Sequence, residues 1–443
     1  MKIRDRKVKV YYENTHSIPG YPRQTGFFDL PTKDIKTHSY QDKRPETSFF
    51  SIYEKNPSVS LMKSKTIIIG AGFAGRQACR SLSRTNSEVL LFDPSCLTVM
   101  LPSLPDLAGD WIPEEILSRP LRELLPPHVQ HIQAAVTSID LNEKTVIADG
   151  SVFPFDSLLI AGGSVTDFHG FSQCLDQIHQ LDSLKSALRI RDEFKAYLST
   201  ASHPHLVIAG GGYTGLELAA SLRFRSISNG TPCQVTIVDP SEQILSFLTE
   251  KERNRIRTFL EKSEIKVLSR SRVTDFDGQN VHIGETVINN VFFCWAGGSK
   301  LSIPEIKGSV SQLRDGRLTV NPDLSLPDYP YAFAAGDSAA VMKNGQPIRK
   351  AINFAWYEGL CAGKNIAAHL QNRPTQNFNP IDLGWIIPLH AQSTGKLFSF
   401  LPVHGRPGLR LHYFMCGFRN FSFRNFIRFT KISLRLFGKE TSP

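Results

Sequence analysis

Two glycine clusters hold the residues whose types and spacing point most directly to chemistry. Gly70-Ala71-Gly72-Phe73-Ala74-Gly75 follows the apolar run Thr66-Ile67-Ile68-Ile69, and Gly210-Gly211-Gly212-Tyr213-Thr214-Gly215 follows Leu206-Val207-Ile208-Ala209. Each reads G-x-G-x-x-G between a buried-strand signal and a helical stretch. In that setting the first glycine permits a tight turn and the second lets the backbone approach a diphosphate. The third lets helix and strand pack closely, and the diphosphate sits at the positive helix terminus. Each returning strand ends in an acid suited to a ribose hydroxyl. Glu88-Val89-Leu90-Leu91-Phe92 leads to Asp93, 23 residues after Gly70, and Gln234-Val235-Thr236-Ile237-Val238 leads to Asp239. Two such units predict two dinucleotides on one chain.

The elements that must position these residues follow from the surrounding pattern. Strand-like runs are expected at Ala134 to Ile139, Thr145 to Ala148 and Ser157 to Ile160, with a hairpin at Asp149-Gly150. Leu158-Leu159-Ile160 runs into Ala161-Gly162-Gly163-Ser164. Thr286 to Trp295 reads as one strand entering Ala296-Gly297-Gly298. Tyr331 to Ala335 meets Gly336-Asp337, and helical spacing resumes from Phe354 to Leu370. The second unit therefore lies inside the first. The expected fold class is α/β, with two nested Rossmann-like domains and a C-terminal α+β or amphipathic region. The expected partition is a basic extension over 1–63, one dinucleotide domain from 64–165 with 325–370, the other from 166–324, and a C-terminal region over 371–443.

Composition narrows the class. The chain has 443 residues, 41% hydrophobic and 21% charged, and no apolar run long enough to cross a membrane. Its seven cysteines are scattered without a C-x-x-C, which argues against a redox dithiol or a zinc site and for reduced thiols. No metal centre is expected. His169, His179, His203 and His205 read as surface or loop residues.

The net charge of +10 sits at the two ends: residues 1–65 carry +6, residues 410–443 carry +6, and the remainder −2. From Arg424, the basic residues Arg428, Lys431, Arg435 and Lys439 fall on one side of a helix. Phe423, Phe426, Thr430, Leu434 and Phe437 fall on the other, with Ile427 at the border. A basic amphipathic helix of this kind fits an anionic bilayer surface. No nucleic-acid module accompanies it.

In motif order over residues 64–400 the chain resembles the flavoproteins with two dinucleotide-binding domains. Within them it is similar to the type II NADH:quinone oxidoreductases and to the apoptosis-inducing-factor-like NAD(P)H:quinone reductases. The residues that carry the likeness are Gly70 to Gly75, Ala161 to Ser164, Gly210 to Gly215 with Glu217, and Ala335-Gly336-Asp337. The resemblance implies FAD at Gly70, Gly72, Phe73, Ala74, Gly75, Asp93, Ala161, Gly162, Gly336 and Asp337. It implies NAD(P)H at Gly210, Gly212, Tyr213, Thr214, Gly215, Asp239 and Gly297. Asp239 favours NADH, because a 2′-phosphate would face its charge. Glu217 matches the family acid beside the nicotinamide and is the expected catalytic residue; an acid there also suits an early helical turn.

The family's A-Q-x-A-x-Q-x-G stretch corresponds to Ile352-Asn353-Phe354-Ala355-Trp356-Tyr357-Glu358-Gly359, with both glutamines replaced. Asn353, Phe354, Trp356 and Tyr357 are the expected lining of a flat quinone slot. The implied activity is hydride transfer from NAD(P)H to FAD, then two electrons to a quinone. The implied setting is a cytoplasmic, peripheral position on the inner face of a membrane, held by residues 410–443. A homodimer fits the same partner class. The rival expectations are a soluble reductase of a ferredoxin or rubredoxin, and an NADH-sensing interaction protein.

Overall fold

The computed structural model describes residues 63–435 except 399 and 420–422. Residues 1–62 of the expected extension, and Phe437 and Lys439 of the C-terminal pattern, lie outside the described residues. The chain begins with β1 (Ser64–Ile69), α1 (Phe73–Ser81), β2 (Ser87–Phe92), the short α2 (Leu104–Ala108), β3 (Val129–Ile132) and β4 (Ser157–Ile160). It continues through β5 (His179–Gln180), α3 (Leu184–Thr200), β6 (His205–Ala209), α4 (Tyr213–Ser228), β7 (Gln234–Val238), β8 (Ile265–Leu268) and β9 (Val291–Trp295). The return is β10 (Ser325–Leu326), β11 (Tyr329–Ala334) and α5 (Ile352–Leu370). The last elements are β12 (Gly384–Leu389), β13 (Gln392–Leu397), β14 (Leu401–His404), α6 (Gly405–Arg419) and α7 (Phe423–Arg435).

Two sheets follow from the two apolar strand sets, parallel throughout except for the antiparallel edge strand β10. The first has the order β10-β11-β4-β1-β2-β3, so strands from both ends of the described chain share it. The second has the order β5-β9-β6-β7-β8 and uses only the intervening residues. The central strands are buried along their length, as in Thr66–Ile69 and Leu206–Ala209, which is why their sequences run apolar rather than alternate. In both sheets the first strand of the unit pairs in parallel with the strand that ends in the acid.

The strand expected over Thr286 to Trp295 is broken. Thr286–Ile288 and β9 are separate, and Asn290 between them has φ +50°. Asn is one of the few residues that tolerates that conformation, and it reverses the chain there. The Asp149-Gly150 hairpin is present, both residues having positive φ. His179 departs from its expected surface position. It is buried in β5, stacked on Phe292, with Nδ1 3.0 Å from the Phe293 carbonyl and Nε2 2.7 Å from Glu193. Burial lowers its pKa, with Glu193 acting against that effect. His205 likewise lies half-buried in β6, 2.9 Å from Thr236 Oγ1.

α1 and α5 cross at close range. A Cβ on Gly359 would meet the Ala74 carbonyl oxygen at 2.0 Å, and one on Gly363 the Ala78 carbonyl oxygen at 2.7 Å. Only glycine admits the contact, and it fastens the returning segment to the helix after the first glycine cluster. No helix among the described residues is long and apolar enough to cross a membrane.

Candidate active site

The two glycine clusters fold into near copies of one turn. Gly70 has φ +96° and Gly210 +109°, and their N–H groups donate to Phe92 O and Val238 O, each at 2.8 Å. A Cβ on Gly75 would lie 1.9 Å from the Gly70 carbonyl oxygen, and one on Gly215 2.0 Å from that of Gly210. A Cβ on Gly72 or Gly212 would meet nothing within 4 Å. The first glycine therefore makes the turn, the third makes the packing, and the second faces open space where a ligand backbone can approach.

The acids repeat as well. Asp93 accepts from Ala71 N–H at 2.7 Å and Ser95 N–H at 2.8 Å; Asp239 accepts from Gly211 N–H at 2.7 Å and Ser241 N–H at 2.8 Å. Each carboxylate is thus fixed at the rim of its turn.

A groove of about 550 Å³ opens over the first turn, lined by Ala71, Gly72, Phe73, Arg76, Asp93 and Asp182 among others. Arg76 was not anticipated from the sequence, since nothing in the glycine pattern specifies the residue after its last glycine. Its guanidinium is buried, sits 5.2 Å from the Phe73 ring centroid, and donates to Gly72 O at 3.1 Å. Burial, helped by Arg80, lowers its pKa to about 9. A diphosphate in the groove would relieve that cost. Ala74 is buried in the core behind the turn.

Ala161 and Gly162 close the turn from the far side: a Cβ on Gly70 would strike the Ala161 carbonyl oxygen at 2.2 Å, and one on Gly162 that of Ser302, also at 2.2 Å. The return brings Gly336-Asp337 to the same end of the sheet. Ser164 Oγ donates to Asp337 Oδ2 at 2.6 Å, and Gly336 N–H donates to Glu358 Oε2, also at 2.6 Å. Glu358 was likewise not singled out in the sequence. It is buried on α5, and burial, with a contribution from Asp337, pushes its carboxyl up to about 8.

A chamber of about 390 Å³ adjoins the second turn through Thr214 and shares Leu101 and Asp182 with the groove over the first; Ser164, Thr166, Glu217, Trp295, Gly298 and Ile352 line it among others. Glu217 reaches it from α4. Part of the side chain is open to the chamber, yet protein surrounds it closely enough to push its carboxyl well above the usual range, with Asp106 adding to the shift. Gly297 stands between chamber residues Ala296 and Gly298, and its own carbonyl lies 3.1 Å from His169 Nε2. Tyr213 turns away from the chamber and packs against Phe247 and Trp385.

A second, strongly apolar cavity of about 340 Å³ adjoins the chamber, with Pro102 and Ile352 in both walls. Met100, Asn353, Trp385, Ile386, Leu411, His412 and Met415 line it. Of the residues expected in a flat slot, Asn353 lines this cavity and donates from Nδ2 to Ile381 O at 2.8 Å. Phe354 is buried in the core with Arg349 5.3 Å from its ring centroid. Tyr357 lines a separate groove with Cys361 and Phe378, and Trp356 is half-buried and absent from the cavity wall. Helical rotation explains the difference: Phe354 turns 100° inward from Asn353, and Tyr357 lies a turn further on. His412 was missed in the sequence because it has no motif around it. Burial lowers its pKa to about 4, so the imidazole on the cavity wall is neutral.

The family profile described as pyridine nucleotide-disulphide oxidoreductase matches residues 64–359, which include both glycine turns and the Gly336-Asp337 return. The chain belongs to this family. Among family relatives, the type II NADH:quinone oxidoreductase of Staphylococcus saprophyticus is 25% identical over 358 residues, covering 74% of this chain and 88% of its own length. The enzyme of that name from Staphylococcus aureus (strain bovine RF122) is 24% identical, covering 78% of this chain and 92% of its own.

Among solved structures, NDH2 from Plasmodium falciparum in complex with NADH superposes with a TM-score of 0.75 at 16% identity, covering 84% of this chain and 98% of its own. The sulfide:quinone oxidoreductase of Aquifex aeolicus reaches 0.69 at 17% identity, covering 83% and 92%. At those identities the likeness is one of fold, the nested two-sheet oxidoreductase architecture. None of the seven cysteines of this member is in a disulfide, and none lines the chamber.

Proposed function

We propose that this oxidoreductase oxidises NADH through bound FAD and delivers two electrons to a quinone at a membrane face. The observation that carries the reading is the chamber itself: the second turn lends it Thr214, the groove over the first turn shares Leu101 and Asp182 with it, and an apolar cavity shares Pro102 and Ile352. Residues 64–165 with 325–370 form the FAD-holding part in this reading, and 166–324 the NADH-holding part. Gly70, Gly72, Gly75 and Arg76 hold the FAD diphosphate, Asp93 its ribose, and Gly336 and Asp337 its ribityl end. Gly210, Gly212, Thr214 and Gly215 hold the NADH diphosphate. Asp239, fixed by two N–H groups, takes the ribose hydroxyls and repels a 2′-phosphate.

Bound there, the flavin would supply the hydride acceptor and the two-electron donor. The protein's own work is alignment. Trp295 and the Ala296 to Gly298 turn wall one side of the chamber, while Ser164, Thr166 and Glu217 place polar groups around it. The apolar cavity suits a flat, lipid-soluble quinone head, with Asn353 and the neutral His412 as polar groups on its wall.

The membrane face rests on α6, α7 and the hairpin tip. Phe398, at the cavity wall, stacks on exposed Phe400; Phe418 on α6 and Phe423 on α7 are also exposed, with Arg424 and Lys431 on the same helix as Phe423. The expected anchor over 410–443 is narrower than its sequence pattern: Tyr413, Cys416 and Phe429 are buried and hold α6 and α7 to the body.

The test is spectroscopic. Protein loaded with FAD should lose its flavin absorbance on addition of NADH under anaerobic conditions, and a short-chain quinone should restore it. Retained colour after NADH overturns the first half of the reading; failure of reoxidation by quinone overturns the second.

A further inference from the structure

A narrow ribbon carries the chain between the two sheets in both directions. Ser164–Thr166, which follows β4, pairs antiparallel with Ser299–Leu301, which follows β9. The ladder ends at Asp167 and Gly298 with its last pair half made. Asp167 N–H donates to Gly298 O at 3.1 Å, but the Asp167 carbonyl accepts from the Trp295 indole Nε1 at 2.9 Å rather than from Gly298. Among the described residues nothing accepts from the Gly298 N–H. Gly298 and Trp295 both line the chamber. An N–H without a partner on a chamber wall costs free energy until something there accepts from it.

The loop after the ribbon turns back over this place. Phe168 and Phe171 pack on Trp295, with ring centroids 5.4 and 5.2 Å from it. Between them in sequence stands His169, with φ +49°. Its Nε2 lies 3.1 Å from Gly297 O and its Nδ1 3.1 Å from Asp167 Oδ2. Asp167 Oδ1 accepts from the His169 N–H at 2.9 Å, so one carboxylate holds both the backbone and the ring of the histidine. A carbonyl oxygen only accepts, so its neighbour Nε2 carries a proton and donates. The ring also sits hard against the turn: a Cβ on Gly298 would come within 2.6 Å of Nε2.

The Gly297 carbonyl and the Gly298 N–H belong to one planar peptide unit, and in a trans peptide they point in opposite directions. Holding the carbonyl on the histidine side therefore turns the N–H to the other side, where Gly298 meets the chamber with Ala296 and Ser299. We propose that His169, set by Asp167, is a positioning residue that fixes this peptide so that the Gly298 N–H donates to the carboxamide oxygen of a nicotinamide. The inference rests on the NADH reading above and adds to it a surface histidine with a role at one end of the nucleotide only. The adenosine and diphosphate end is held elsewhere in that reading, by the Gly210 to Gly215 turn and Asp239.

The test uses the full chain loaded with FAD and kept oxidised, so that NAD binds without reacting. Calorimetric affinities for NAD and for ADP-ribose, which lacks the nicotinamide, are compared in the wild type, His169→Ala and His169→Gln. His169→Ala should weaken NAD by about fivefold or more, the worth of one hydrogen bond, and leave ADP-ribose within about twofold. His169→Gln, whose amide N–H can donate to the same carbonyl, should recover part of the loss. Reduction of the flavin should need a correspondingly higher NADH concentration for half-saturation, with reoxidation by quinone unchanged. NAD and ADP-ribose affinities that fall together, or an NAD affinity that stays put in His169→Ala, overturn the inference while NADH still bleaches the flavin, and spare the functional reading. Absence of bleaching in the wild type overturns the reading on which it rests.

Discussion

At the scale of single residues, the paired turns assign separate duties to positions that look alike. A methyl at Gly75 or Gly215 collides with a carbonyl oxygen of its own turn, and in the proposed reading a different ligand depends on each. Gly215→Ala should therefore leave a yellow, flavin-loaded protein whose reduction by NADH is slowed by about tenfold or more, a loss on the order of 1.4 kcal/mol. Gly75→Ala should be purified largely colourless. Equal loss of flavin in both variants would contradict separate sites.

Glu358 makes a different prediction. Burial, which outweighs the Gly336 N–H bond, pushes its carboxyl up to about 8 in the folded protein, against about 4.3 for an unfolded glutamate. Between those values the unfolded chain has lost the proton and the folded chain keeps it, so stability falls as pH rises from about 4.3 towards 8. Glu358→Gln keeps an acceptor for Gly336 and removes that dependence. Denaturant unfolding should show a wild-type loss steeper than the variant's by up to about 1.4 kcal/mol per pH unit. Parallel slopes would mean that Glu358 is ionised throughout.

At the scale of elements, α7 presents three faces rather than two. Asn425, Phe429 and Ser433 point into the body, Phe423, Ile427 and Leu434 are exposed, and Arg424 and Lys431 flank them. Replacing Arg424 and Lys431 by glutamate reverses the helix's charge without touching the buried face. Vesicles containing phosphatidylserine should then lose the protein at low salt, by at least about tenfold in affinity at roughly 1 kcal/mol per basic residue. Neutral vesicles should bind both forms alike. Undiminished binding to anionic vesicles would place the contact elsewhere.

The same helix shows what a sequence hides. Its amphipathic period was legible, because charge and apolar residues recur at helical spacing. Its docking through Phe429 was not, because an apolar position has the same signature against protein as against lipid. The glycine turns were legible for the opposite reason: their constraint is local, closed within six residues by a clash any side chain would cause. The apolar cavity has no such local signature. It is assembled from Met100, Asn353, Trp385 and Met415, remote in sequence, and the one nearby pattern, on α5, pointed Phe354 and Tyr357 to a wall they do not reach. Asp106 and Tyr413, joined by a hydrogen bond, are likewise far apart, by 307 residues, and nothing in either segment announces the other.

At the scale of the whole molecule, the nested order of the two sheets joins ends of the chain that are made at different times. The second sheet is complete within residues 179–295, whereas the first receives β10 and β11 only after that stretch has been passed. Contacts that close such long loops form late, since the chain entropy must be lost before they contribute. A growing polypeptide thus exposes the unpaired edge of β4 until β11 arrives, and α1 waits for the glycines of α5 that let it seat. On dilution from denaturant, residues 179–295 should resist protease before residues 64–160 do, and flavin colour should return with the later phase. In the proposed reading the carrier between NADH and the quinone is in this way the last part to be enclosed, and a cell short of riboflavin would accumulate chains with one half finished and one seam open.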